Sequence, residues 1–349
     1  MMRNSFFLSL LFVTSALILG QSAEANTEVK VSDEPDGSSS AQIDKDANSE
    51  TIESDQIEQE EEEEKTEALA ASSQNPIANL ISVPFQNNTT TGLNRPGLFD
   101  LSNGGLEDFY DFDAEQLERL QQQINPKKLR GLRNDLRNFR NETLNVLNIQ
   151  PVVPFKINDS LTLVTRTIVP IVSKPTIRQG QVWGLGDINP TFFFVPKSKG
   201  PWTIGAGPTF LLPTATDTVL GTRKWSAGPA AVAVYTRGPW VAGGLVSQIW
   251  SFAGDGDRSS VSSFLMQPFI NYNFGKGWFL TSSPVITANW QRSRDQWTVP
   301  LGGGIGRIFS VGSQPMSLAV EGYANVAKPS GFGDFTARLT FKLLFPKGS

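Results

Sequence analysis

Between Phe335 and Phe345 apolar and polar residues alternate one for one. Phe335, Ala337, Leu339, Phe341, Leu343 and Phe345 hold the odd positions, and Thr336, Arg338, Thr340 and Lys342 hold even ones. Side chains point alternately to the two faces of a strand, so this segment predicts a strand with one apolar face and one polar, cationic face. Met316–Tyr323 repeats the pattern, with Met316, Leu318 and Val320 set against Ser317, Ala319 and Glu321. In Leu161–Ile171, Arg166 shares a face with Thr162, while Leu161, Leu163, Val169 and Ile171 share the other. Extended over the chain, the pattern predicts twelve strands, near 77–89, 143–156, 161–173, 184–196, 202–214, 225–236, 240–251, 261–273, 278–290, 297–310, 316–327 and 335–346.

Short turns at 157–160, 197–201, 237–239, 274–277 and 311–315 alternate with longer connections such as 214–224, 252–260 and 328–334. Short turns at one end and long loops at the other are the pattern of an outer-membrane barrel, with the short turns periplasmic. The expected fold is therefore all-β, a transmembrane antiparallel up-and-down barrel of about 12 strands, with a helical insert between strands 1 and 2. An even strand count puts both termini on the short-turn side, with the N-terminal tail in the periplasm.

A repeat supports the hairpin unit. Trp202, Trp240 and Trp278 lie 38 residues apart, each just after a short turn, and one more step of 38 reaches Met316. That period fits two strands of about ten residues with their connections. Trp202, Trp240 and Trp278 are expected to form an aromatic girdle at headgroup depth. Pro170, Pro208 and Pro284 fall at steps of 38 and twice 38, and Pro190, Pro229 and Pro268 at steps of 39. Proline cannot donate to a sheet ladder, so repeated prolines predict a row of bulges or bends.

The ends differ from the body. Residues 1–25 read as a secretory signal: Arg3, an apolar run from Phe6 to Gly20, and the small-x-small site Ala23-Glu24-Ala25. Residues 26–74 read as an acidic disordered tail, with 17 acidic and 3 basic residues between Glu24 and Glu67. The body, 75–349, is mildly basic. Its insert, 92–142, reads as two helices, with Leu129, Leu132, Leu136 and Phe139 on one stripe. Arg130, Arg133, Arg137 and Arg140 lie on the adjacent stripe, as candidate surface contacts for lipid phosphates or lipopolysaccharide.

The chain has no cysteine and no histidine. Disulfides, thiolate metal sites and Ser-His or Cys-His nucleophile pairs are thereby excluded. No pair of carboxylates is placed for catalysis, so no enzyme activity, cofactor or metal is expected. Asp217 and Asp255-Gly256-Asp257 fit ordinary turn chemistry better than a calcium loop. Gly302-Gly303-Gly304-x-Gly306 lacks the context of a phosphate loop and reads as glycine-rich strand. If the apolar faces meet lipid, Arg166, Glu321, Arg338 and Lys342 point inward as candidate lumen-lining residues, because a charge facing lipid at mid-depth costs roughly 2–4 kcal/mol. Arg307 falls on the lipid-facing parity and needs a bulge or a rim position.

The stretches NPIANLISVPFQNNT (75–89), VLNIQPVVPF (146–155), TRTIVPIV (165–172), GLGDINPTFFFVPK (184–197), GAGPTFLLPTATD (205–217), KWSAGPAAV (224–232), QPFINYNF (267–274) and QPMSLAVEGYANV (314–326) carry a resemblance. Together they resemble the bacterial outer-membrane barrels labelled transporter or "neuromedin U", related to the barrels of the MetA-type phenol-degradation pathway. The resemblance implies a Gram-negative outer-membrane barrel moving small solutes, some of them aromatic or hydrophobic, and no nucleic-acid partner. The alternative is a structural or surface-interaction barrel that uses the basic insert and transports nothing.

Overall fold

The structure, a computed structural model, describes residues 64–93, 141–176 and 180–346. Fifteen strand segments follow one another: β1 (Ile81–Leu93), β2 (Glu142–Ile149), β3 (Val152–Asn158), β4 (Leu161–Thr176), β5 (Gly180–Leu185), β6 (Asn189–Pro196), β7 (Trp202–Leu211), β8 (Lys224–Arg237), β9 (Trp240–Gly254), β10 (Ser262–Asn273), β11 (Trp278–Ser282), β12 (Ile286–Asn289), β13 (Trp297–Val311), β14 (Gln314–Ala327) and β15 (Phe335–Phe345). β2 and β3 are two halves of one stave, as are β5 and β6, and β11 and β12, so the fifteen segments make twelve staves. All neighbours are antiparallel, and β15 returns to pair with β1 from Ile81↔Phe345 to Thr91↔Phe335. The ring is closed, which leaves no unpaired edge to meet lipid. Among the described residues no helix is long and apolar enough to cross a membrane. The strands do the crossing.

The twelve expected strands are present with shifted ends. The first begins at Ile81, not residue 77, and reaches Leu93; the third extends to Thr176, and the fifth stops at Leu211. Gly92, Leu93 and Glu142, placed by sequence in the helical insert, belong to the strands of its two flanks. Residues 94–140, which hold the rest of the insert, lie outside the described residues.

On β15 the alternation sorts as expected: Leu339 is 46% exposed and its neighbour Arg338 only 5%. Outward positions elsewhere are similarly apolar, among them Ile204, Leu280, Leu301, Ile305 and Val320. Aromatic rings bound this outer band at both ends. At the short-turn end Trp202 packs on Tyr235 with ring centroids 5.1 Å apart, and Trp240 on Tyr272 at 4.7 Å. Trp278 carries the Arg307 guanidinium 5.2 Å from its ring centroid, so Arg307 does face outward and is accommodated at the rim. A second ring, which the sequence period does not reveal, runs along the long-loop end through Trp225, Trp250, Trp290 and Trp297. Trp240 and Trp250 stand ten residues apart on β9. Ten steps span about 33 Å along a strand, and a tilt near 40° leaves about 25 Å of height, the apolar thickness an outer-membrane barrel presents.

Three staves are interrupted, at residues 150–151, 186–188 and 283–285. Each break has a proline in it or beside it; Pro170, Pro268 and Pro284 of the expected row lie at breaks, whereas Pro190, Pro208 and Pro229 lie within β6, β7 and β8. Pro151 lies inside the first break, and on the flanking strands the ladder skips Pro84. Beside the second, Pro170 lies where β4 changes partner from β6 to β5. Pro284 lies inside the third, and Pro268 sits on β10 between its pairings with β11 and β12. The missing N–H interrupts the ladder, and the freed backbone turns to other partners.

The expected disordered tail needs correction at its C-terminal end. Residues 64–74 are helical, and the segment from there to Leu80 is packed against the inner wall. Ile77 joins one cluster with Val164, Phe193, Val234 and Val241; Ala70 and Leu80 join another with Phe279, Ile308 and Leu344. These wall residues all point inward at the short-turn end. Little apolar surface is present in the segment itself, so its order depends on surface the barrel supplies. At the rim, Gly277 holds a φ of +74° beside this segment. A side chain there would meet Ile308 O at 2.3 Å and Thr66 Cγ2 at 3.3 Å, so only glycine fits both the turn and the approach. Residues 26–63 lie outside the described residues.

Candidate functional site in the barrel lumen

Above the N-terminal segment the inner wall changes from apolar to polar. The proline breaks shape this layer. At the first break Gln150 is buried and its side-chain oxygen accepts a bond from Arg166 Nη2 at 2.7 Å. At the third break the Ser283 carbonyl accepts from Arg338 Nη1 at 2.8 Å, and the Ser283 hydroxyl lies 3.0 Å from the same nitrogen. A side-chain amide at the first break and a backbone carbonyl at the third thus become partners for the inward cations.

Glu321 and Arg338 face each other across the β14–β15 ladder and form an ion pair of 3.6 Å. Around them the network is dense. The Tyr323 hydroxyl donates to Glu321 Oε1 in a short bond and accepts from the Ser283 N–H at 2.9 Å. Arg338 Nε donates to Asn88 Oδ1 at 2.9 Å, and its guanidinium lies 4.6 Å from the Tyr323 ring centroid. Both charged side chains are almost fully buried. The pair ties β1, β14 and β15 to the interrupted stave of β11 and β12.

Lys342, two pleat repeats along β15 from Arg338, donates from Nζ to the Ser73 carbonyl at 3.1 Å. Gln74 donates to Asn273 Oδ1 at 2.8 Å, and Asn273 donates back to Gln74 Oε1 at 3.2 Å. These bonds fasten the N-terminal segment to the wall. A cavity of about 140 Å³ lies between segment and wall. Its charged lining residues are Arg166, Glu321 and Lys342; Ser73–Pro76 close one side, and Phe269 and Phe279 add apolar surface. Of the four residues expected on the inner face, three line this cavity and the fourth, Arg338, is bound to Glu321.

Trp202, Trp240 and Trp278 open β7, β9 and β11 at the outer rim, away from the lumen. Arg130, Arg133, Arg137 and Arg140 lie outside the described residues. The aspartates of the long loops serve turns. Asp217 Oδ1 accepts from the Val219 N–H at 3.0 Å, and Asp255 pairs with Arg223 at 2.9 Å while accepting from the Asp257 N–H. Among the described residues no group of three or more acidic, histidine or cysteine side chains could hold a metal ion. Gly302–Gly306 lies inside β13 as strand, and a side chain at Gly304 would fall 1.9 Å from Val320 O. Sequence reasoning missed Gln150, Ser283, Tyr323 and the 73–76 segment as parts of this site. Their nearest signal was the proline beside two of them, Pro151 and Pro284.

No protein-family model matches the chain, and no curated protein matches its sequence. Among solved structures the fold is similar to an outer membrane channel from Pseudomonas putida, at 15% identity over 76% of this chain and 94% of that one, with a TM-score of 0.50. Outer membrane phospholipase A from Escherichia coli aligns at 10% identity over 76% and 90% of the two chains, TM-score 0.38. The CymD monoaromatic hydrocarbon channel aligns at 11% identity over 59% and 74%, TM-score 0.33. The chain has the fold of a Gram-negative outer-membrane β-barrel.

Proposed function

We propose that the protein is a passive outer-membrane channel for small solutes, closed at rest by its own N-terminal segment, whose tail lies on the periplasmic side. One observation carries the reading: a polar, cation-lined cavity lies inside the barrel, and its floor at the short-turn end is residues 73–76. The floor leads into β1 at Ile81 but takes no part in the strand ladder itself. Side-chain hydrogen bonds and apolar packing hold the segment outside the ladder, so it can leave without breaking the barrel. Exposing Ile77 and Leu80 to water costs about 3–6 kcal/mol together. At about 1.4 kcal/mol per factor of ten, the open state holds about one part in 10² to 10⁴ of molecules. Such a channel conducts in brief, sparse openings.

The fold likeness to a channel supports this reading, as does the lack of histidine and cysteine, which removes the commonest nucleophile–base pairs. We assign no catalytic role to the lumen. The resemblance to transporter-labelled barrels of aromatic-degradation pathways, carried by the stretches given above, points the same way. Liposomes containing folded protein should take up small sugars and one-ring aromatic acids faster than protein-free liposomes, with uptake falling steeply as solutes grow. Uptake equal to protein-free vesicles for every solute would sink the proposal.

A further inference from the structure

Arg166 and Lys342 both line the lumen cavity, and each has donors to spare. A guanidinium carries five N–H donors and an ammonium three. Arg166 uses one on Gln150, and Lys342 uses one on the Ser73 carbonyl, so each cation is bonded to a neutral group. The cavity's single carboxylate, Glu321, is already committed to Arg338, Tyr323 and Ser283. The site therefore holds two positive charges in excess of its own counter-charge. A buried charge without a counter-charge is costly, which favours an anion from outside.

The rest of the cavity limits what that anion is. Leu245, Phe269 and Phe279, from β9, β10 and β11, give it apolar lining, and Val152 adds more beside Arg166. Its volume of about 140 Å³ is close to the ~150 Å³ of an engineered cavity that takes up benzene. We infer that the lumen holds a binding site for a small monocarboxylate with a one-ring or similarly compact apolar body, its oxygens on Arg166 and Lys342 and its body against Phe269 and Phe279. The carboxylate accepts bonds from the two free donor sets, and the ring fills the space that water would leave poorly bonded. This names the solute class of the channel proposed above and rests on that reading.

Benzoate, benzyl alcohol and inorganic phosphate are the probes, titrated into the folded full-length protein in detergent by calorimetry. Benzoate is expected to bind, and benzyl alcohol, of the same size without the charge, about ten- to a hundredfold more weakly, the worth of one charge-assisted hydrogen bond. Arg166→Gln should lose benzoate affinity by a similar factor and Arg166→Lys should keep most of it, with each variant checked for the heat-modifiable gel mobility of a folded barrel. Equal binding of benzoate and benzyl alcohol overturns the inference without any variant. Phosphate binding as tightly as benzoate overturns the apolar half of it. Absent benzoate binding in a protein that admits solutes to liposomes sinks this inference alone; benzoate binding in a protein that admits none sinks the channel reading alone.

Discussion

Removing residues 26–80 while keeping Ile81 onward is expected to turn sparse openings into a persistently conducting barrel. The deletion takes away the helix over residues 64–74 and with it Ala70, the Ser73 carbonyl that Lys342 holds, and the Gln74–Asn273 bonds. Ile77 and Leu80, buried against the wall in the closed state, go with it. If the closed state owes about 3–6 kcal/mol to this packing, the open probability in planar bilayers should rise by a factor on the order of 10² to 10⁴. Nothing in the deletion touches the ladder, because β1 begins at Ile81 and keeps its pairing with β15. The deleted protein should therefore still migrate as a folded barrel on unheated gels. Current traces identical to those of the intact chain would show that the segment does not gate the lumen.

The second large effect is expected at Arg338. Its guanidinium is the partner of Glu321, of the Ser283 carbonyl and of Asn88, and the ion pair is shut away from water on both sides. Arg338→Met leaves the Glu321 carboxylate buried with only hydroxyl partners and leaves the broken stave without its donor. Breaking a buried pair by removing one partner costs about 3–5 kcal/mol, more than most single substitutions. The urea midpoint for unfolding from lipid vesicles should drop accordingly. Adding Glu321→Gln to Arg338→Met should restore a large part of the loss, since the uncompensated charge is gone while the Ser283 contact is still missing. A single variant as stable as the parent, or a double variant no better than the single, would contradict the account of this pair.

The barrel wall was legible because its two faces meet different surroundings. Leu339 and Arg338 are adjacent in sequence, and only a strand between lipid and lumen separates them so cleanly. The ring of Trp202, Trp240 and Trp278 was legible because each follows a short turn at a common step of 38 residues. The opposite ring was not, since Trp225, Trp250, Trp290 and Trp297 follow one another at unequal steps of 25, 40 and 7 residues. The N-terminal segment was misread for a physical reason: order in EALAASSQ is supplied by Phe279, Ile308, Val234, Val241 and Leu344, all distant in sequence. A signal was present in those residues. Leu344 shares the parity of Arg338 and Lys342, so an apolar side chain stands on the polar face close to the short-turn rim. Apolar residues there need something inside the barrel to cover them. The prolines were read as bends, but not as the reason Gln150 and Ser283 face the lumen. That link is tertiary, because the cations that use those groups come from other strands.

The central claim, that the N-terminal segment lies inside the barrel, is most directly tested by crosslinking in this cysteine-free chain. Gln74→Cys with Asn273→Cys pairs two positions whose native amides lie 2.8 Å apart; Gln74→Cys with Tyr272→Cys pairs the same residue with the outward neighbour. A short bifunctional thiol reagent added to protein in native-like membranes, followed by mass spectrometry of the digested chain, reads both. The account predicts an intramolecular link in the first pair and none in the second. Linkage of neither pair, with both cysteines reactive toward a small maleimide, or equal linkage of the two, would place the segment outside the lumen.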